Sequence, residues 1–199
     1  MIRCSTVRPT GFHPASMSLP PPGRWVTNPP ANNGAKVVIS DTDHYSPGGT
    51  DALWAWKSFL RGHYPVLYDF GIIDLANRGE PPPGLPPYAA FEPARHAMGD
   101  TRRYAQKMNL LEMSPAGDLS STGYALANPG SEYLVLQPAS EAFTVRLAAG
   151  IYRVEWHSVK TRDFVEADKV TVGSLTNVSF TTPFRAMDPA VLYLKRIGF

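Results

Sequence analysis

The stretch from Val37 to Phe70, VVISDTDHYSPGGTDALWAWKSFLRGHYPVLYDF, constrains the fold more than any other. "KVVIS" and "PVLYDF" are short apolar runs rich in β-branched and aromatic residues. That pattern predicts strands buried on both faces, as in a parallel sheet. "SPGGT" breaks the first run, and Thr50 or Asp51 can cap the helix that follows. In "DALWAWKSFLRG", Leu53, Trp56, Phe59 and Leu60 recur at helical spacing, and Gly62 is placed to end the helix in a left-handed conformation. Strand, helix and strand with short connections make a βαβ unit, whose strands run parallel. Such a pair leaves its edges and one apolar face uncovered. Only 36 residues precede it.

Those residues offer little regular structure. Residues 1–35 read as an irregular, proline-rich segment. Prolines crowd into residues 9–30 and again into 79–93, which favours extended chain. A second helix is expected in "EPARHAMGDTRRYAQKMNLLEM", with Met98, Arg102, Ala105 and Met108–Asn109 on its period and Gly99 as its weak point. "SPAGDLSSTG" is a turn cluster, which puts a boundary near residues 114–122. From Tyr124 the character changes. "YALAN", "EYLVLQ", "AFTVRLA", "IYRVEWHSV", "KVTVGS", "NVSFTT" and "AVLYLKR" are short runs, most with alternating apolar residues, and several short strands at this spacing predict an antiparallel sandwich. In "RVEWHSV", Val154, Trp156 and Ser158 point one way, and Arg153, Glu155 and His157 the other. The expected class is therefore α+β in several regions. An irregular segment (1–35) leads to a partial α/β region (36–113), and an antiparallel β-sandwich follows (120–199).

Charge and composition narrow the partners. The 19 Lys and Arg are scattered and the net charge is +2, so no nucleic-acid footprint is present. No apolar run approaches the length that spans a membrane. Cys4 is the one cysteine, so no intrachain disulfide is possible. The N-terminus has basic residues without the apolar region of a signal peptide, which leaves the location open. No cofactor is expected.

The chemistry-bearing residues gather at the ends of the two predicted strands. Asp41, Asp43 and His44 follow the first, and Asp69 ends the second. Ligands of parallel α/β structures bind outside the carboxyl ends of the strands. Carboxylates there can act as acid, base or nucleophile, or hydrogen-bond sugar hydroxyls. Tyr45, Trp54 and Tyr68 can supply an apolar wall to bind substrate. The plainer reading is that these aspartates tie a turn or cap a helix, and that Trp54 and Trp56 are core. Calcium or magnesium would suit the oxygen ligands. A strand, however, sends Asp41 and Asp43 to one face and His44 to the other, so no metal is expected. Lys57 and Arg61, one helical turn apart, read as a solvated face.

"ISDTDHY", "WAWKSFLRG" and "PVLYD" together resemble the closing segment of the (β/α)8 barrel in the apiosidase-like family of bacterial glycoside hydrolases. "RHAMGDTRRYAQKMNLLEMSP" resembles the helix that closes that barrel. From "TGYALANPGSEYLVLQP" to "AVLYLKR" the chain resembles the β-sandwich appended to it, a module often labelled a collagen-binding domain. The resemblance covers about residues 36–199, and the residues before Trp25 do not share it. It implies that the two strands are the seventh and eighth of a TIM barrel, so that this chain is a C-terminal fragment. Catalytic residues in such barrels come from several strands, and glycosidases commonly need two carboxylates. The resemblance thus implies a pocket that is incomplete and inactive alone. Where these barrels often carry a glutamate after the seventh strand, this chain has aspartates, so no nucleophile is assigned to Asp41 or Asp43.

Three functions compete. The chain is the end of a carbohydrate-active hydrolase, or its sandwich is a stand-alone module for polysaccharide or collagen, or the sandwich braces the barrel through Arg102, Arg103 and Tyr104. Tyr124, Tyr133, Tyr152 and Trp156 are the aromatic contacts a binding module would use, although sandwich core is the plainer role for them. Collagen rests on the family label alone. By the same resemblance the intact enzyme is exported.

Overall fold

The computed structural model describes residues 4–6, 23–41, 52–67, 88–139, 142–185 and 188–198. It divides into two compact units. The first comprises Met1–Phe59 and His63–Arg102, and the second Leu60–Gly62 and Arg103–Phe199.

The first unit holds a three-stranded parallel sheet in the order β1 (Cys4–Thr6), β2 (Val37–Asp41), β3 (Tyr64–Val66). Thr6 lies opposite Ile39, and Asp41 opposite Val66. The βαβ unit is as expected, with α2 (Ala52–Leu60) between β2 and β3 and Gly62 at φ 75° just past the helix. Residues 1–35 are not wholly irregular. Among the described residues they supply β1 and a helical segment, α1 (Gly23–Thr27). A three-residue strand carries no readable alternation, and its partner lies more than thirty residues away. α2 is apolar well beyond one stripe. Trp54, Ala55, Trp56, Ser58, Phe59 and Leu60 are buried, and Leu53 is only partly so. Helices of that kind sit inside a structure rather than on it. Lys57 donates to the carbonyl of Thr27 at 2.9 Å, and the His63 ring lies 2.8 Å from the carbonyl of Pro30.

α3 (Glu92–Lys107) carries an acid in its first turn and a base in its last, both favourable to the helix dipole. Its buried face is Ala94, Ala97, Asp100, Thr101 and Tyr104, continued by Met108 just past its end. The face expected from Met98, Arg102 and Ala105 is displaced by about one position. Small alanines and a threonine weigh little in a hydrophobic pattern, yet they permit close packing, and that decides the side.

The second unit is built of antiparallel sheets. Six strands run in the order β4 (Ser114–Pro115), β5 (Ala125–Asn128), β6 (Glu132–Gln137), β11 (Ala190–Gly198), β8 (Gly150–Ser158), β9 (Phe164–Val172). β7 (Phe143–Leu147) and β10 (Thr176–Phe180) form a second sheet of two. Both sheets feed one core that includes Tyr133, Val135, Phe143, Val145, Tyr152, Val154, Trp156, Phe180, Leu192 and Leu194. Trp156 meets Phe143 and Phe180 edge-on, with ring centroids 6.0 and 6.4 Å away. That geometry suits aromatic quadrupoles. The turn between β5 and β6 uses Gly130 at φ 86°, whose N–H donates to the Tyr133 hydroxyl at 2.7 Å. β9 begins five residues earlier than "KVTVGS" suggested, because Glu166 and Asp168 interrupt the apolar pattern while backbone pairing to β8 continues.

Candidate functional site

Each unit carries residues of chemical interest. In the first unit, Asp41 is the last residue of β2 and is partly buried at the carboxyl end of the parallel sheet. Asp43, His44, Tyr45, Tyr68 and Asp69 lie outside the described residues, so Asp41 and Trp54 are the parts of the predicted constellation whose positions can be given. Trp54 is fully buried in α2. Among the described residues, no three His, Cys, Asp or Glu side chains come together in a way that could hold a metal ion, and no helix is long and apolar enough to cross a membrane.

In the second unit a recess of about 320 Å³ is lined by Arg103, Tyr104, Lys107, Glu155, Phe164 and Glu166. It arises from strand register. β8 and β9 place Glu155 opposite Glu166 and His157 opposite Phe164, on the face turned away from the sheet-to-sheet core. The last turn of α3 adds the rest. The Tyr104 hydroxyl donates to Glu155 Oε1 at 3.0 Å, and Lys107 Nζ donates to Glu155 Oε2. Two carboxylates directly across a strand pair repel, and Lys107 supplies the counter-charge. The Lys107 ammonium also sits 4.8 Å from the Tyr193 ring centroid. Phe164 stacks on buried His157 at 4.5 Å and has the Arg103 guanidinium 4.9 Å from its centroid. Even so, Phe164 keeps 43% of its surface exposed.

A second carboxylate on the same sheet face, Glu132, is held by three donors. Lys195 Nζ lies at 2.7 Å, the Asn109 N–H at 2.9 Å and the Tyr193 hydroxyl at 3.0 Å. Burial pushes the Glu132 carboxyl up, but these hydrogen bonds and the Lys195 charge outweigh it and hold it below the usual range. With its acceptor sites taken, Glu132 is an anchor between the loop after α3 and the sheet. Glu155 has both oxygens engaged in the same way. Neither is placed as a proton donor to a substrate, which leaves Glu166 as the exposed carboxylate of the recess.

Tyr124, Tyr133, Tyr152 and Trp156 are all buried. Arg61, expected on a solvated face, is partly buried and lies 4.8 Å over the Tyr124 ring. Burial raises the Tyr124 phenol, against the opposing pull of Arg61. Sequence reasoning named Arg103 and Tyr104 only as bracing residues and missed Phe164 and Glu166. The available signal was the strand opening "FVEADKV", where an aromatic and a carboxylate two residues apart share one face.

No protein-family model matches the chain, and no curated protein matches it. Solved structures do. One described as a glycoside hydrolase superposes with a TM-score of 0.63 at 12% identity, over 94% of this chain and 49% of its own. A glycoside hydrolase family 5 structure from Bacteroides vulgatus gives a TM-score of 0.61 at 14% identity, over 87% of this chain and 44% of its own. The chain thus spans about half the length of the structures it matches. At this identity the likeness shows the fold alone: a mixed α and β arrangement, mostly of antiparallel sheets, that is like a glycoside hydrolase.

Proposed function

We propose that this chain is the C-terminal part of a carbohydrate-active glycoside hydrolase. In this reading β1 and residues 36–113 belong to the end of a (β/α)8 barrel, and residues 120–199 form an accessory β-sandwich. The observation that carries it is the strand order. β1, β2 and β3 lie side by side in sequence order, all parallel, with a helix between the last two. Winding that never reverses is how a (β/α)8 barrel is built. The superposition on glycoside hydrolases about twice as long supports the same reading.

Asp41, Asp43, His44 and Asp69 would then shape one side of a sugar pocket, with Tyr45 and Tyr68 as its apolar wall and Trp54 behind it in the core. The three parallel strands among the described residues cannot by themselves close a cylinder of eight. Hydrolysis needs two carboxylates flanking the scissile bond. The 199-residue chain alone therefore binds its part of a sugar without cleaving it. Assays of the purified chain against aryl glycosides and pectic side-chain oligosaccharides are expected to show no turnover. Turnover that disappears in Asp43→Asn would overturn the claim of inactivity.

A further inference from the structure

We infer that the recess between α3 and the β8–β9 pair is a binding site for a neutral sugar residue of a polysaccharide. The lining carries two cations, Arg103 and Lys107, and two carboxylates, Glu155 and Glu166, so the recess has no net charge with which to recruit an ionic ligand. The Arg103 guanidinium and the exposed Glu166 carboxylate nevertheless stand as donor and acceptor within one small volume, beside the edge of an aromatic ring that remains 43% exposed. A ligand that needs a donor, an acceptor and an apolar contact at once, without charge, is a polyhydroxylated ring.

The polar groups are also held in advance. Tyr104 and Lys107 are fixed by Glu155. Phe164 is held by His157 beneath it and by Arg103. All stand on a helix or a strand rather than a loop, which lowers the ordering cost of binding. A volume of about 320 Å³ sits at the small end of ligand sites and fits one or two sugar units of a longer polymer. The choice of sugar over other neutral polyols rests on the carbohydrate reading above.

The test is affinity electrophoresis of the full chain in gels containing a soluble neutral glucan, mannan or galactan, with polygalacturonate and collagen gels alongside. Retardation is expected in at least one neutral gel, with Phe164→Ala and Glu166→Gln each weakening it about tenfold, a change of about 1.4 kcal/mol. Thermal melting checks that the variants fold. Should Phe164→Ala melt early, the exposed Glu166→Gln decides alone. Absence of retardation in every neutral gel, retardation that Glu166→Gln leaves intact, or preference for polygalacturonate or collagen would each overturn the assignment. None of these results bears on the hydrolase reading, which the turnover assays decide.

Discussion

Tyr104, in the last turn of α3, donates its hydroxyl to Glu155 at the middle of β8, 51 residues further along the chain. Lys107, one turn on, reaches the other oxygen of the same carboxylate. This pair of bonds is what makes a buried glutamate tolerable on the outer face of the sheet.

Removing one bond leaves the carboxylate short of a donor. Tyr104→Phe is expected to cost about 1.5–3 kcal/mol, the usual range for a hydrogen bond to a charged group. Lys107 is more exposed, at 38% of its side chain, so solvent screens its loss. Lys107→Ala is expected to cost about 1 kcal/mol or less. The double variant should lose less than the two together, because both act on one acceptor. Urea unfolding of the four proteins measures this. Strict additivity would mean that the two bonds to Glu155 act independently of each other.

Glu132 makes stability depend on acid. Its folded carboxyl titrates below the ordinary value of about 4.3, so the stability it provides is fully present above that pH. It is lost as pH falls through the depressed folded value. Glu132→Gln should therefore destabilise by about 1.5–3 kcal/mol near neutrality. The difference from the parent should shrink toward zero in strong acid. Urea midpoints of both proteins across that range show it, and a gap that stays constant down to the acid limit would count against the mechanism.

The buried phenols set the alkaline limit. Burial pushes Tyr152 up to about 12, and the charge of Tyr133 and its hydrogen bond add to this. Tyr193 is also raised, first by burial and then by the charge of Glu132 and its hydrogen bond. A free phenol ionises near 10. The stability these two contribute is whole below about pH 10 and declines as pH rises toward the folded values. Phenolate absorbance should show at least two of the nine tyrosines silent until the fold is lost, whereas in urea all nine titrate together. Nine simple titrations in the native chain would contradict the burial of Tyr152 and Tyr193.

What the sequence could reveal follows from which interactions are local. The β8 alternation identified Val154 and Trp156 as core because strand period alone decides that face. The same alternation put Glu155 and His157 on the opposite face and said nothing of what covers them there, and both are buried. Their partners Tyr104 and Lys107 lie about fifty residues away, and no local pattern announces them. α2 and the turn at Gly62 were legible because apolar bulk and a glycine act within a few residues. β1 was not, since its three residues are a strand only by virtue of Val37–Ile39 beside them. The recess was illegible for the same reason. Phe164 and Glu166 look like the fraying start of a strand until the register sets them beside His157 and Glu155.

The division of the core predicts how the chain comes apart. Every residue of the aromatic and aliphatic cluster around Trp156 lies between Ala116 and Leu194. The parallel sheet of the first unit has short strands, and β3 leaves Tyr64 and Val66 exposed at 58% and 48%. Small sheets with exposed apolar edges gain little from burial. A chain lacking residues 1–92, which keeps α3 from Pro93 onward, should retain a cooperative thermal transition. In that truncated chain Trp156→Ala should cost about 3–5 kcal/mol, as for other large core truncations. Residues 1–92 alone should show no cooperative transition. Calorimetry of the two fragments is the measurement, and loss of the transition in the truncated chain would show that the antiparallel unit does not stand on its own core.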